Sequence, residues 1–278
     1  MAIFLNFPTI GLGNNLFTLA AGLEFAKKFS LDLRVLPITS SGFKNTKLNS
    51  FSKDALYSVI NYLNLEKVEI SESYEIRNRL EKGGLETFYE TCPYCYREPD
   101  VNIKNDIYMS GYFQNQEYLG TSLNTLLSTL AELTHHVKTK SEFSVQIRRG
   151  DFKNPVIRRS IGLLSPIYFS SWISKFPSSN IVRVYSDDSK SEIENFLGGL
   201  FPFNFVEPQT DILDTLRAIA NSANLIISNS TFAWWAGALG EYLGITENVI
   251  SPSQWNRNME CSTLLSRSSW IRAKPIWV

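Results

Sequence analysis

The chain has 278 residues, 27 Lys and Arg against 27 Asp and Glu, 44% hydrophobic residues and 13% aromatics. Zero net charge argues against a nucleic-acid binder held by bulk electrostatics, and the apolar share excludes a mainly disordered chain. Three cysteines make no disulfide scaffold and suit a reducing compartment, no apolar run reaches the roughly 18 residues of a membrane span, and the N-terminus reads as a strand rather than a signal peptide, so a soluble cytoplasmic protein is expected.

The first predicted strand is Ile3–Phe7, followed by a turn-rich loop, Gly11-Leu12-Gly13-Asn14-Asn15. Apolar residues at Leu16, Leu19, Ala20, Leu23, Ala26 and Phe29 then have helical spacing. Residues 37–53 read as loop and 54–63 as helix. Glu66–Asp100 holds nine acidic and five basic residues, with Gly83-Gly84 and two prolines, and reads as a variable, solvent-facing insert. Residues 121–138 are a predicted helix. Beyond them, strands at Phe143–Arg148, Ile181–Ser186, Phe203–Val206 and Leu225–Ser228 alternate with helices. Those helices are Pro166–Phe176, Ser189–Leu197, Asp211–Ser222 and Phe232–Leu243. Such alternation indicates parallel sheets with right-handed crossovers. A boundary near residue 140 would give two α/β domains.

Open α/β sheets bind ligands beyond the carboxyl ends of their strands. Those ends carry Gly11–Asn15, then Arg148-Arg149-Gly150-Asp151, then Ser186-Asp187-Asp188, then Ser228-Asn229-Ser230-Thr231. A glycine loop lets backbone N–H groups approach a ligand, helix N-termini favour anions, and an arginine forks onto phosphate oxygens. Together they suit a diphosphate. Each also has a plainer role. Ser230 and Thr231 can cap a helix, Asp211 and Asp214 can serve a helix start, and Arg148 and Arg149 can be solvated charges. Residues 148–159 carry a local charge of +4, offset by −4 over 66–100.

Gly11–Phe17, Val145-Gln146-Ile147-Arg148-Arg149-Gly150-Asp151-Phe152, Leu163–Phe169, Ser186-Asp187-Asp188 and Ile227–Trp235 resemble, in order and spacing, the bacterial α-1,2-fucosyltransferases of glycosyltransferase family 11. The resemblance implies an α/β, GT-B-like fold of two Rossmann-like domains with mainly parallel sheets. Residues 1–140 would form the acceptor side with the glycine loop, and 141–278 the GDP-sugar-binding domain. It implies inverting transfer of L-fucose from GDP-β-L-fucose to the 2-hydroxyl of a terminal β-galactoside, without metal or other cofactor, in surface polysaccharide (O-antigen) synthesis. The implied partners are GDP-fucose and a galactose-terminated oligosaccharide, lipid-linked acceptors included. No nucleic acid is expected, and at most peripheral contact with the inner membrane.

Carried over by motif, Arg148 would bind the β-phosphate. Gly11, Gly13 and Asn14 would line diphosphate and sugar. Ser230 and Thr231 would meet the phosphates, and Asp214, 16 residues before Ser230, would read guanine. Ser186 and Asp187 would border the donor. Gln146 stands where the family usually has histidine; it still donates and accepts but cannot titrate. The glycine loop departs too, with Ile10 for glycine and Asn15 for glutamine. Asp151, sharing the arginine loop, is the candidate general base, with pairing to Arg149 as its structural alternative.

Other motifs read as decoys. Cys92-Pro93-Tyr94-Cys95 lacks the strand-to-helix setting of a redox site, and a zinc site would have to draw on Cys261 and His135-His136. Arg149-Gly150-Asp151 resembles an adhesion tripeptide, and Asn229-Ser230-Thr231 is a glycosylation sequon without use in the cytoplasm. Trp234-Trp235 reads as core. The competing functions are transfer of another GDP-sugar or in another fucose linkage, a dinucleotide-dependent oxidoreductase, and a weakly active sugar-binding relative.

Overall fold

A computed structural model describes residues 1–8, 11–38, 47–100, 104–135, 140–176 and 181–278. The chain forms two compact units, Met1–Leu133 and Thr134–Val278.

The first unit runs β1 (Ala2–Asn6), α1 (Leu12–Phe29), β2 (Asp32–Val35), α2 (Lys47–Tyr62), β3 (Glu66–Lys67), α3 (Ile70–Glu81), β4 (Glu86–Tyr89), β5 (Ile107–Ser110) and α4 (Ser122–Leu133). Its sheet has the order β3-β2-β1-β5-β4, and every pairing is parallel. β1 lies at the centre, and its Ala-Ile-Phe-Leu run is buried, as a strand covered on both faces requires. β1 and β5 are adjacent, yet the chain leaves β1 for β2 on the other side. Their carboxyl ends therefore form a topological switch point.

The second unit runs β6 (Ser141–Ile147), α5 (Pro155–Ser160), α6 (Pro166–Ile173), β7 (Val182–Ser186), α7 (Lys190–Leu197), β8 (Phe203–Phe205), α8 (Ile212–Ala220), β9 (Ser222–Ile227), α9 (Thr231–Tyr242), β10 (Asn248–Pro252) and β11 (Ile271–Ala273). The sheet order is β11-β10-β9-β6-β7-β8, again wholly parallel. Read from β8, this is the dinucleotide-fold order, with its switch point between β6 and β9. Phe143, Val145 and Ile147 of β6 anchor the core with Val184, Tyr168, Phe169 and Ile226. The α/β class with two parallel sheets is as expected. No helix among the described residues is long and apolar enough to cross a membrane.

Several expectations are corrected. Glu66–Asp100 is no solvent-facing insert: it supplies β3, α3 and β4. Its charges lie on the outer sides of integral elements, where Glu72 takes a bidentate ion pair from Arg34 of β2 (2.7 and 3.0 Å) and Arg79 pairs with Asp106 (2.9 Å). Meanwhile Ile76 and Phe88 are buried. The glycine loop is largely helix, because α1 starts at Leu12 with Gly11 as N-cap. Burial of Leu12, Leu16 and Phe17 overrides the weak propensity of Gly13, Asn14 and Asn15. Residues 47–53, read as loop, belong to α2, while 39–46 lie outside the described residues. β10 and β11 were not expected; one ends on a proline and the other has three residues.

Candidate donor-binding site

The switch point of the second unit gathers the arginine loop and the serine-rich loop. Gln146 is paired in register with Ile227 across β6 and β9. Its buried amide oxygen accepts from the Ser228 hydroxyl at 2.6 Å, and that hydroxyl accepts the Arg148 backbone N–H at 3.0 Å. Ser228 thereby fixes the orientation of the Gln146 amide and the start of the arginine loop with one group. Its part was not foreseen.

Arg148 projects from this joint as a held fork. One terminal nitrogen pairs with Asp151 at 2.7 Å and the other with Asp187 at 2.8 Å, while the guanidinium lies 5.5 Å from the Phe152 ring centre. A guanidinium has five N–H donors, so donors remain for a ligand. Asp187 also accepts the Arg149 backbone N–H at 2.8 Å. This close approach requires Gly150, where a Cβ would lie 2.2 Å from Asp187 Oδ2.

Arg149 is not a solvated charge. Its Nε donates to Asp188 (2.8 Å) and its guanidinium stands 3.9 Å from the centre of Phe196. Lys153 binds Asp188 (2.7 Å) and Glu192 (2.8 Å). Lys153 and the Ser189 N-cap together hold the Glu192 carboxyl down at about 2. Arg148, Arg149 and Lys153 are thus met in space by Asp151, Asp187, Asp188 and Glu192. Ser186 is a joint rather than a free donor: its hydroxyl donates to Ile147 O (2.8 Å) and accepts the Asp188 N–H (3.1 Å).

Ser230 caps α9, accepting the Ala233 N–H at 3.5 Å, and Thr231 is the first helical residue. Buried Asn229 donates to Gly162 O and Trp255 O, both at 3.2 Å, which fixes the cap's approach. Trp234 and Trp235 are fully buried edge to face, as expected of core. Asp211, not Asp214, caps α8, accepting the Leu213 N–H at 2.8 Å. Asp214 instead accepts the His135 backbone N–H (3.1 Å) and faces its ring nitrogen (2.9 Å). His136 lies outside the described residues.

In the first unit, Gly11 is exposed, Gly13 is buried, and Asn14 accepts from the Gln114 amide at 2.9 Å. Glu90, following β4, accepts the backbone N–H groups of Tyr112 (2.6 Å) and Phe113 (2.8 Å). Burial pushes its carboxyl up to about 7 from 4.5, against the two hydrogen bonds. A raised acid favours the fold when protonated. Its contribution is complete below about 4.5 and is lost as pH rises through about 7. Wild type is expected to lose stability relative to Glu90→Gln between about pH 5 and about pH 8. Urea midpoints at the two pH values check this; an unchanged difference would contradict it. Neither Glu90 nor Gln114 was foreseen, although the short apolar run Ile107–Met109 before Gly111 is a strand-end signal. Cys92 and Cys95 are joined as a disulfide within the turn after β4, where Cys95 N–H donates to Cys92 O. The pair closes a local loop and begins no helix.

Comparison with known proteins decides the family. Residues 99–272 match Glycosyl transferase family 11. The chain belongs to glycosyl transferase family 11. The family 11 match takes in the Gly111–Gln114 turn and every unit-two site residue above, while the start of α1 lies before it. An Escherichia coli alpha-1,2-colitosyltransferase is 29% identical over 291 residues, covering 94% of this family 11 chain and 96% of that protein. The Escherichia coli O-antigen biosynthesis glycosyltransferase WbnK is 26% identical over 305 residues, covering 94% and 97%. Among solved structures, the fucosyltransferase NodZ from Bradyrhizobium superposes with a TM-score of 0.44 at 15% identity, covering 84% of this chain and 91% of that one.

Proposed function

We propose that this family 11 enzyme transfers L-fucose from GDP-β-L-fucose to the 2-hydroxyl of a terminal β-galactoside, with inversion and without metal, in O-antigen synthesis at the cytoplasmic side of the membrane. The observation that carries this reading is the Gln146–Ser228–Arg148 joint at the β6/β9 switch point. It sets a cationic fork, an amide and a capped helix start around the place where such sheets hold nucleotides. In this reading the second unit binds GDP, with Arg148, Ser230 and Thr231 at the phosphates and Gln146 and Asp214 at the nucleoside. The first unit, with Gly11, Gly13 and Asn14 at the start of α1, takes the acceptor.

Breaking the fucosyl–phosphate bond builds positive charge on the sugar and negative charge on GDP. Catalysis then depends on donors already aimed at the leaving group. Arg148 supplies them, with Asp187 and Asp151 holding its plane. In this reading Asp151, exposed and paired with Arg148, is also the base that takes the acceptor's proton. Metal independence is supported by the commitment of the nearby carboxylates: Asp187 holds Arg148, and Asp188 holds Arg149 and Lys153.

A second donor, GDP-colitose, is favoured by the similarity to an alpha-1,2-colitosyltransferase along 94% of the chain. Colitose is fucose without the 3-hydroxyl, so the two readings share nucleotide, phosphates and linkage. An EDTA-treated transfer assay should separate them, using GDP-fucose, GDP-colitose, GDP-mannose and UDP-galactose against a β-galactoside panel. Transfer from GDP-fucose giving an α-1,2 product is the expected result. Transfer from GDP-colitose alone would install the second reading, and activity only with a UDP-sugar or only with added metal would overturn both.

A further inference from the structure

The first unit carries another constellation at the carboxyl ends of its strands, within Gly111-Tyr112-Phe113-Gln114 and Glu90. Oε2 of Glu90 takes the two backbone N–H groups of Tyr112 and Phe113, whereas Oε1 is buried without a hydrogen-bond partner. A half-satisfied buried carboxyl is costly. Phe113 adopts φ 51°, the left-handed region that bulky side chains rarely enter. At Gly111 a Cβ would lie 2.5 Å from Glu90 Cβ and 3.0 Å from the Phe113 ring. Three unfavourable choices thus meet in one turn, and such costs concentrate where function demands a geometry.

The turn buries the Phe113 ring against Phe88 (5.9 Å between centroids) and Tyr118 (5.1 Å). With that ring anchored, its neighbours are set. Tyr112 is half-buried, and Gln114 reaches from the end of β5 to Asn14 beyond β1. β1 and β5 form the switch point of this sheet, so the Asn14–Gln114 amide pair stands where open α/β sheets receive ligands. Half-buried Tyr112 carries an aromatic ring suited to the C–H groups of a sugar, and half-buried Asn14, held by the buried Gln114 amide, carries an amide suited to its hydroxyls.

We propose that the Gly111–Gln114 turn and Asn14 form a sugar-ring subsite, and that Glu90 is the positioning residue that holds it. The assignment rests on the transferase reading for the identity of the sugar, either the donor's fucosyl group or the acceptor's galactosyl ring. Tyr112→Ala and Glu90→Leu should each raise one KM, for nucleotide sugar or for galactoside, by about tenfold or more, with kcat changed only a few-fold. GDP affinity by calorimetry should not change. Glu90→Gln keeps an accepting oxygen and should restore KM to within about threefold. A merely structural role would reduce the amount of folded enzyme and leave KM alone. A rise in acceptor KM assigns the galactosyl ring, and a rise in donor KM at constant GDP affinity the fucosyl group. Both KM values within about twofold in Tyr112→Ala would overturn the subsite, as would Glu90→Gln behaving like Glu90→Leu. Saturation-transfer NMR with L-fucose and methyl β-D-galactopyranoside needs no turnover. Wild type should give signal from one of them, lost in Tyr112→Ala, and no signal from either would overturn the subsite. Failure of wild type to bind GDP would sink the transferase reading separately.

Discussion

Arg148→Ala is expected to lower both GDP affinity and kcat/KM by roughly 10- to 150-fold, the equivalent of a charge-assisted contact of about 1.5–3 kcal/mol. The loss has two parts. The diphosphate loses a planar fork already held between Asp151 and Asp187. In addition, Asp187 loses its ion pair and keeps the Arg149 N–H, so in the proposed reading its negative charge opposes the diphosphate. Arg148→Lys keeps the charge but cannot span both carboxylates and a phosphate, so it should recover only part of the loss. Calorimetric titration with GDP, beside steady-state kinetics, reads both parts. Near-normal turnover in Arg148→Ala would remove Arg148 from the mechanism.

Asp188→Ala should be the most destabilising change in the site, by about 3 kcal/mol. The Asp188 side chain is 2% exposed and holds two cations, Arg149 and Lys153. Breaking a buried pair from one side strands the other charge, which typically costs about 3–5 kcal/mol. The lower figure applies because Arg149 keeps the Phe196 ring and Lys153 keeps Glu192. Urea denaturation with an unchanged m-value should show the shift in midpoint. Asp188→Asn, which keeps an acceptor for Arg149, should lose less. A loss below about 1 kcal/mol would show that the network is worth no more than a surface pair.

The strand ends were legible because a parallel strand buries both faces. Its apolar run stops abruptly, and the polar residues after it mark the ligand rim. Arg148 and Ser230 were singled out this way, whereas Gln146, inside the strand, was marked by the family resemblance alone. What Asp187 and Asp188 do was not legible, since their partners lie 38 or 39 residues away in the chain and only the β6/β7 pairing brings them together. Composition misled over Glu66–Asp100, because charge content reports which side of an element meets water and is silent on whether the element joins the sheet. Propensity misled at Gly11–Asn15, where tertiary burial decided for helix. The Glu90 turn escaped because β4 and β5, at four residues each, are too short to show alternation.

The charge balance around Arg148 bears on how the nucleotide arrives. Asp187, Asp188 and Glu192 bring the +4 of residues 148–159 down to +1, so the loop presents only a weak positive field at long range. In the proposed reading a dianionic ligand drifting in solution is therefore drawn only weakly toward the site from beyond a Debye length. Encounter would then be little faster than unassisted diffusion and only weakly sensitive to ionic strength, with selectivity residing in the residence time that the fixed N–H donors confer once contact is made.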